Sequence, residues 1–180
     1  MPEAANETAV PFLHRSEVES RARDVLKPHN LTTVPIDPVL LANREGIKVN
    51  NAKFSDENLV GMIVKRGDDV TMLVNYDDPP FRKRFTIAHE LGHHFLHLLQ
   101  DGEYVDKEAN LFRQQLGDER ETTPSRRQEI QANMFASSLL MPEDEVRRYW
   151  KERPSIEELA KIFNVSNVAM GYRVASLGLE

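Results

Sequence analysis

The order of apolar and polar positions predicts a chain of helices interrupted once by strands. Apolar residues recur at helical spacing over Phe12–Lys27, which predicts a first helix that ends before Pro28. From Thr33 to Gly46 the pattern is that of an extended turn and a short helix, with Pro38 near the first helical position. Residues 1–11 are small and polar, and we predict that they are disordered.

The period then changes from that of a helix to that of a strand. Three β-rich runs follow, Ile47–Asn50, Leu59–Lys65 and Val70–Tyr76, and Arg66–Asp69 has the composition of a hairpin turn. These runs predict a small antiparallel sheet of three or four strands. Its edge strand could hold an extended peptide through backbone hydrogen bonds, or the sheet could simply cover the apolar face of a helix.

Two long helical patterns lie beyond the strands, on either side of a polar segment. Apolar positions over residues 85–99 predict one helix, and those over Arg126–Met141 predict another. The segment Gln100–Ser125 between them is rich in charge and is interrupted by glycine and proline. This composition predicts a lid or substrate loop, with a short helix near Lys107–Leu116.

The C-terminal part predicts a further group of helices. Pro142 opens one helix, and residues 154–178 resemble a helix-turn-helix pair in which Ser155 and Ser166 cap the two helices. The second helix of the pair offers Arg173 as its single base, which is too little to neutralise several phosphates. The pattern therefore argues against DNA binding and favours packing or the docking of a protein partner.

Length and composition narrow the class of protein. A chain of 180 residues can form one domain with a core, and we expect a domain over residues 12–153 with a helical C-terminal lobe, residues 154–180, packed on it. The formal net charge of −6 argues against tight, nonspecific nucleic-acid binding. Because the chain has no cysteine, a metal site must be built from histidine and carboxylate.

The sequence carries no signal for export or for a membrane. Its first residues show neither a basic segment nor an apolar one, and no stretch approaches 18 consecutive apolar residues. We therefore expect a cytoplasmic protein without membrane contact.

The strongest chemical signal is His89-Glu90-Leu91-Gly92-His93, the pattern H-E-x-x-H in a predicted helix. At 3.6 residues per turn the two histidines lie about 40° apart on one face and roughly 6 Å apart along the axis, so both imidazoles could bind one metal ion. The glutamate points to the side of that ion, where it could accept a proton from water. A histidine-rich helix can also be exposed and inert, but the apolar residues around this pair favour a buried site.

A catalytic zinc usually has three protein ligands, so a third is needed. His97 lies about 12 Å along an unbroken helix from His89, too far for one ion to bridge. Glu129 in the downstream helix falls close to an apolar stripe, where a carboxylate is costly unless something binds it. The alternative is a solvated glutamate favoured by the helix dipole. Asn133, one turn later, could orient a ligand.

Peptide hydrolysis also needs a donor that stabilises the oxyanion of a tetrahedral intermediate. Tyr104 in the polar segment is our first candidate, and His94, His97 and Tyr76 are the others. The sequence does not choose among them, and each has a purely structural role as its alternative.

Two segments together resemble the ImmA/IrrE family of bacterial and phage zinc metallopeptidases. They are residues 84–97, which contain the H-E-x-x-H pattern, and Glu129–Pro142. The similarity extends from about Ile47 to Pro142, and the pair of motifs is quite specific.

The resemblance implies a gluzincin-like fold and zinc as the cofactor. By position it implies His89, His93 and Glu129 as zinc ligands and Glu90 as the general base. In many members of that family the partner or substrate is a helix-turn-helix repressor, and the resemblance implies such a regulator here.

We thus predict an α+β fold, in which a small antiparallel sheet packs on a zinc-bearing helix and further helices surround both. The expected function is that of a zinc metalloprotease that cleaves one specific protein partner. A zinc-containing regulatory binding protein of the toxin or anti-repressor type, with little turnover, is the alternative. A DNA-binding transcription factor is the third and weakest hypothesis.

Overall fold

The computed structural model describes residues 13–56, 59–97, 102–107 and 124–179. The predicted disordered N-terminus, residues 1–11, lies outside the described residues. Within the described ranges the α-helices are α1 (Arg15–Asp24), α2 (Pro38–Arg44), α3 (Pro80–Leu96), α4 (Pro124–Leu140), α5 (Glu143–Glu152), α6 (Ile156–Phe163) and α7 (Asn167–Ser176). The strands are β1 (Lys48–Ala52), β2 (Leu59–Arg66), β3 (Asp69–Asn75) and β4 (Gly102–Lys107). The α+β class is confirmed.

The sheet has the strand order β1-β3-β2-β4. Strand β2 runs antiparallel to both β3 and β4, but β1 pairs with β3 in parallel, with Asn50 opposite Leu73. The prediction of an antiparallel sheet is therefore wrong for this pair, and the sheet is mixed. The reason is that consecutive strands alternate in direction while β1 lies beside β3 instead of β2, so the two neighbours point the same way.

The fourth strand lies in the segment that we predicted to be a lid or substrate loop. Strand β4 pairs with β2 and forms one outer edge of the sheet among the described residues, with Tyr104 opposite Ile63. The short helix predicted near Lys107–Leu116 is wrong at its first residue, which ends β4, and residues 108–116 lie outside the described part of the chain.

Helix α3 lies between the sheet and helix α4. It packs against β2 and β3 on one side and against α4 on another, which buries most of its residues. The inner face of the sheet presents the buried side chains of Ile63, Met72 and Val74. Each of these contributes about 1.5–3 kcal/mol by leaving water.

Gly92 allows α3 and α4 to approach closely. A Cβ atom on this residue would lie 2.9 Å from the Cα atom of Ala132 and 3.2 Å from the Cβ atom of Phe135. Any side chain at this position would push the two helices apart. The residue in the middle of the H-E-x-x-H pattern therefore sets the distance between the helices.

The helix starts follow the local sequence. The Asp37 carboxylate accepts hydrogen bonds from the backbone N–H groups of Val39 and Leu40, and Pro38 occupies the first turn of α2 as predicted. Ser155 and Ser166 cap α6 and α7, which confirms that prediction as well. These caps fix where the C-terminal helices begin.

Arg173 of α7 lies inside the protein and is only 2% exposed. Its guanidinium donates to the Met141 carbonyl at 2.9 Å and to the Glu19 carboxylate at 2.7 Å. The single base of the second helix of the pair is thus committed to contacts with α1 and with the end of α4. It is not available to a phosphate.

A second arginine links the start of α3 to its neighbours. The guanidinium of Arg84 donates to the Ile36 carbonyl at 2.7 Å and to the Asn164 carbonyl at 3.2 Å.

Over the part of the chain that the structure describes, no helix combines the length and the apolar character needed to cross a bilayer.

Candidate metal centre

Helix α3 carries two histidines whose rings meet in the protein interior. His89 is fully buried and His93 is 2% exposed. Their Nε2 atoms are 3.0 Å apart and their ring planes stand at 73° to each other. This geometry follows from the four-residue spacing on a helix, which places both rings on the same face.

Glu129 of α4 completes the group. Its Oε2 atom lies 3.3 Å from His89 Nε2, and its Oε1 atom lies 3.3 Å from His93 Nε2. One ligand atom from each residue falls within 4.8 Å of the other two, so the three side chains could hold one metal ion. The sequence placed Glu129 near a buried stripe, and the contact between α3 and α4 brings it to the histidines.

Asn133 orients the first of the two histidines. Its side-chain oxygen lies 2.9 Å from His89 Nδ1, and the asparagine is 2% exposed. Because that oxygen only accepts, Nδ1–H donates the hydrogen bond and the lone pair of the ring resides on Nε2. The free electron pair of His89 therefore points towards His93 and Glu129.

The electrostatics of the group favour a cation. Burial lowers the pKa of His93, which keeps its imidazole neutral. Burial alone would raise the pKa of Glu129, but the imidazoles of His89 and His93, each 3.3 Å from the carboxylate, outweigh it and hold that pKa well below its usual range. Two neutral imidazoles and one carboxylate are the protonation states that a divalent metal requires of its ligands.

Glu90 lies next to His89 on α3 and is fully buried. Gly61 of β2 borders it, because a Cβ atom at this glycine would lie 3.0 Å from Glu90 Oε1 and 2.4 Å from Thr86 Cγ2. Only a glycine lets the strand pass so near the carboxylate. Gly61 is not among the site residues predicted from the sequence, although a glycine inside a strand pattern is a known sign of close approach.

His97 lies just after α3 and contacts the group from outside. Its Nδ1 atom is 3.3 Å from His93 Nδ1, and its Nε2 atom is 2.9 Å from the side-chain oxygen of Gln131. Burial lowers the pKa of His97 to about 4. The ring does not belong to the set of three converging ligands, in agreement with the distance argument from the helix. Sequence reasoning also missed Gln131, for which no local signal exists.

The other candidates for the oxyanion donor lie on β4, just after β3 and on α3. Tyr104 lies on β4, next to β2. Tyr76 follows β3 with 57% of its surface exposed, and the ammonium groups of Lys53 and Lys83 lie 5.6 and 5.2 Å from its ring centre. His94 is half-buried and its ring meets Phe95 edge-on. His94 is not one of the three residues whose ligand atoms converge.

Comparisons with known proteins identify the family of the chain and solved structures with a similar fold. Residues 42–175 match the family model Peptidase_M78, described as the IrrE N-terminal-like domain. No curated protein sequence matches significantly. A solved structure of a Mycobacterium tuberculosis transcriptional regulator is similar, with a TM-score of 0.60 and 20% identity over 91% of this chain and 48% of that one. The chain thus spans about half of that protein, and the likeness concerns the fold.

Proposed function

Because the chain belongs to the peptidase family of the IrrE N-terminal-like domain, we propose that it is a zinc-dependent endopeptidase that cleaves a specific protein partner. The observation that carries this proposal is the convergence of His89, His93 and Glu129, with Glu90 beside them on α3. Two imidazoles and one carboxylate form a ligand set that leaves one position open for chemistry.

Glu90 is the proposed general base. When bound, a zinc ion supplies Lewis-acid polarisation of a water molecule and of the scissile carbonyl. The Glu90 carboxylate accepts the proton of the attacking water and passes it to the leaving amine. Its burial beside Gly61 supports this role, because a proton acceptor must be held within hydrogen-bond reach of the reacting atoms.

Two further residues support the proposed reaction. Asn133 keeps His89 in the tautomer and orientation that a ligand needs. Tyr104 remains the proposed donor to the oxyanion, since β4 pairs with β2, the strand that borders Glu90. This second assignment rests on strand placement alone.

The proposed substrate is a helix-turn-helix regulator. Its support is the family resemblance of the two sequence motifs, and the similar structure is itself named a transcriptional regulator. We propose that the C-terminal lobe, residues 154–180, docks this partner protein. The burial of Arg173 supports protein docking over DNA contact, because α7 loses its only base to the interior.

A regulatory binding protein with a metal site and little turnover is the second candidate. The name of the similar structure favours it, because a regulator can act by binding alone. The experiment that separates the two uses the full chain and the purified product of the adjacent gene, incubated with and without a chelator. Fragments found by mass spectrometry that disappear with the chelator support the peptidase. A stable complex that forms without fragments supports the binding protein.

A further inference from the structure

A buried chain of hydrogen-bonding side chains leads from α4 to the second histidine of the metal centre. Gln131, His97 and His93 are 3%, 8% and 2% exposed. The Gln131 side-chain oxygen contacts His97 Nε2 at 2.9 Å, and His97 Nδ1 contacts His93 Nδ1 at 3.3 Å. The chain therefore ends on the ring nitrogen of His93 that faces away from Glu129.

The direction of these hydrogen bonds follows from the chemistry of the groups. An amide oxygen only accepts, so His97 Nε2–H must donate to Gln131. A neutral imidazole has a single N–H, and the Nδ1 atom of His97 is then an acceptor. When a metal ion occupies the centre, this acceptor receives the hydrogen bond of His93 Nδ1–H, and the lone pair of His93 lies on Nε2, facing His89 and Glu129.

If these hydrogen bonds ran in the opposite direction, His93 could not bind a metal ion through Nε2. If His97 carried its hydrogen on Nδ1, the two Nδ1–H groups would oppose each other unless His93 moved its own hydrogen to Nε2. The lone pair of His93 would then point away from Glu129. The acceptor at Gln131 excludes this arrangement.

We propose that His97 and Gln131 are positioning residues, which together fix the Nε2 lone pair of His93 towards the metal centre. The proposal rests on the proposed zinc function and deepens it. Asn133 does the same for His89 in one step. Helix α4 thus supplies one ligand and the terminal acceptors for both histidines. In this role His97 is neither a ligand nor a donor to the substrate.

If His97 only packed against its neighbours, loss of Gln131 would change neither a histidine tautomer nor the zinc affinity. The test compares Gln131→Leu with Gln128→Leu, the same chemical change on a half-buried residue one turn earlier on α4. The first readout is the ¹⁵N spectrum of the histidine rings in the metal-free full chain, which reports the tautomer of His97. The second is the zinc affinity, measured by competition with a chromophoric chelator.

We expect His97 in the Nε2–H form in the unmodified protein and in Gln128→Leu. In Gln131→Leu the Nδ1–H form of His97 should appear, and zinc affinity should fall about 10- to 100-fold. His97→Leu should lower zinc affinity to the same extent, whereas His97→Gln should retain affinity, because its amide oxygen can accept directly from His93 as Asn133 does from His89.

A folded Gln131→Leu protein with an unchanged His97 tautomer and unchanged zinc affinity would overturn the proposal. So would equal losses of affinity in His97→Gln and His97→Leu when both are folded. If the unmodified chain binds no zinc, the proposed function fails instead. The tautomer of His97 in the metal-free protein then still decides whether Gln131 sets the direction of these hydrogen bonds.

Discussion

Gly61 of β2 and Glu90 of α3 stand so close that a single added carbon would intrude between them. A Cβ atom on Gly61 would lie 3.0 Å from Glu90 Oε1, and it would overlap the Thr86 methyl group at 2.4 Å. A contact of 2.4 Å between carbon atoms forces the strand or the helix to move. Strand β2 therefore restricts the position of the Glu90 carboxylate, in addition to its own helix α3.

Gly61→Ala should lower turnover and spare the metal. The added methyl group displaces Glu90 without touching His89, His93 or Glu129, and a shift of about 1 Å at a catalytic group can cost about 100-fold in rate. The measurement is kcat together with metal content per chain. Gly171→Ala is the matched control, since a Cβ atom there would meet only Ile156 Cδ1 at 3.8 Å. Equal turnover in both variants would contradict the prediction.

Glu90→Gln should separate chemistry from binding. The amide is nearly isosteric with the carboxylate and leaves all three proposed ligands in place, but it cannot accept the proton of water. We expect metal content and folding to be retained and the cleavage rate to fall about 10²- to 10⁴-fold. Partner binding, measured by pull-down or calorimetry, should survive. A cleavage rate equal to that of the unmodified protein, with contaminating protease excluded, would refute the mechanism.

Glu129→Ala should loosen the metal strongly. It removes one of the three converging ligands while its histidine partners remain. The unmodified chain should hold zinc near one ion per chain in elemental analysis after dialysis, and the variant should lose most of it. Glu157→Ala removes an exposed glutamate on α6 and serves as the control. Full metal content in Glu129→Ala would show that another residue is the third ligand.

Arg173→Ala should destabilise the fold. The change breaks a part-buried ion pair with Glu19 and leaves the Met141 carbonyl without this donor, at a cost of about 2–4 kcal/mol. Arg15→Ala is the control, because its side chain is 47% exposed and also pairs with Glu19. Urea unfolding compares the two variants.

The full chain should show no salt-dependent binding of duplex DNA, and such binding at micromolar affinity would reverse our interpretation of α7.

The local part of the site could be predicted because it depends on one helix. A four-residue spacing places His89 and His93 on one face whatever surrounds them. The apolar residues on either side of the pair also indicated that the helix is buried, as it is. The local sequence also predicted the caps of α6 and α7 and most strand positions.

The remaining features depend on contacts between distant segments. The parallel pairing of β1 with β3 follows from which edge of the hairpin β1 joins, and a strand's own residues do not encode that choice. Strand β4 is rich in polar residues, a composition that predicts a loop; its pairing with β2 overrides that composition. Gln131 reaches His97 only because α3 and α4 pack together.

The division of the proposed ligands between α3 and α4 also has a thermodynamic consequence. An ion held by both helices ties together two elements that the chain joins only through the long segment between residues 97 and 124. A ligand that binds the folded chain alone adds about 4 kcal/mol of stability at a thousand times its Kd. The midpoint of thermal unfolding should therefore rise with zinc concentration. In a cell, the same mass action would make the lifetime of the folded protein follow the supply of free metal.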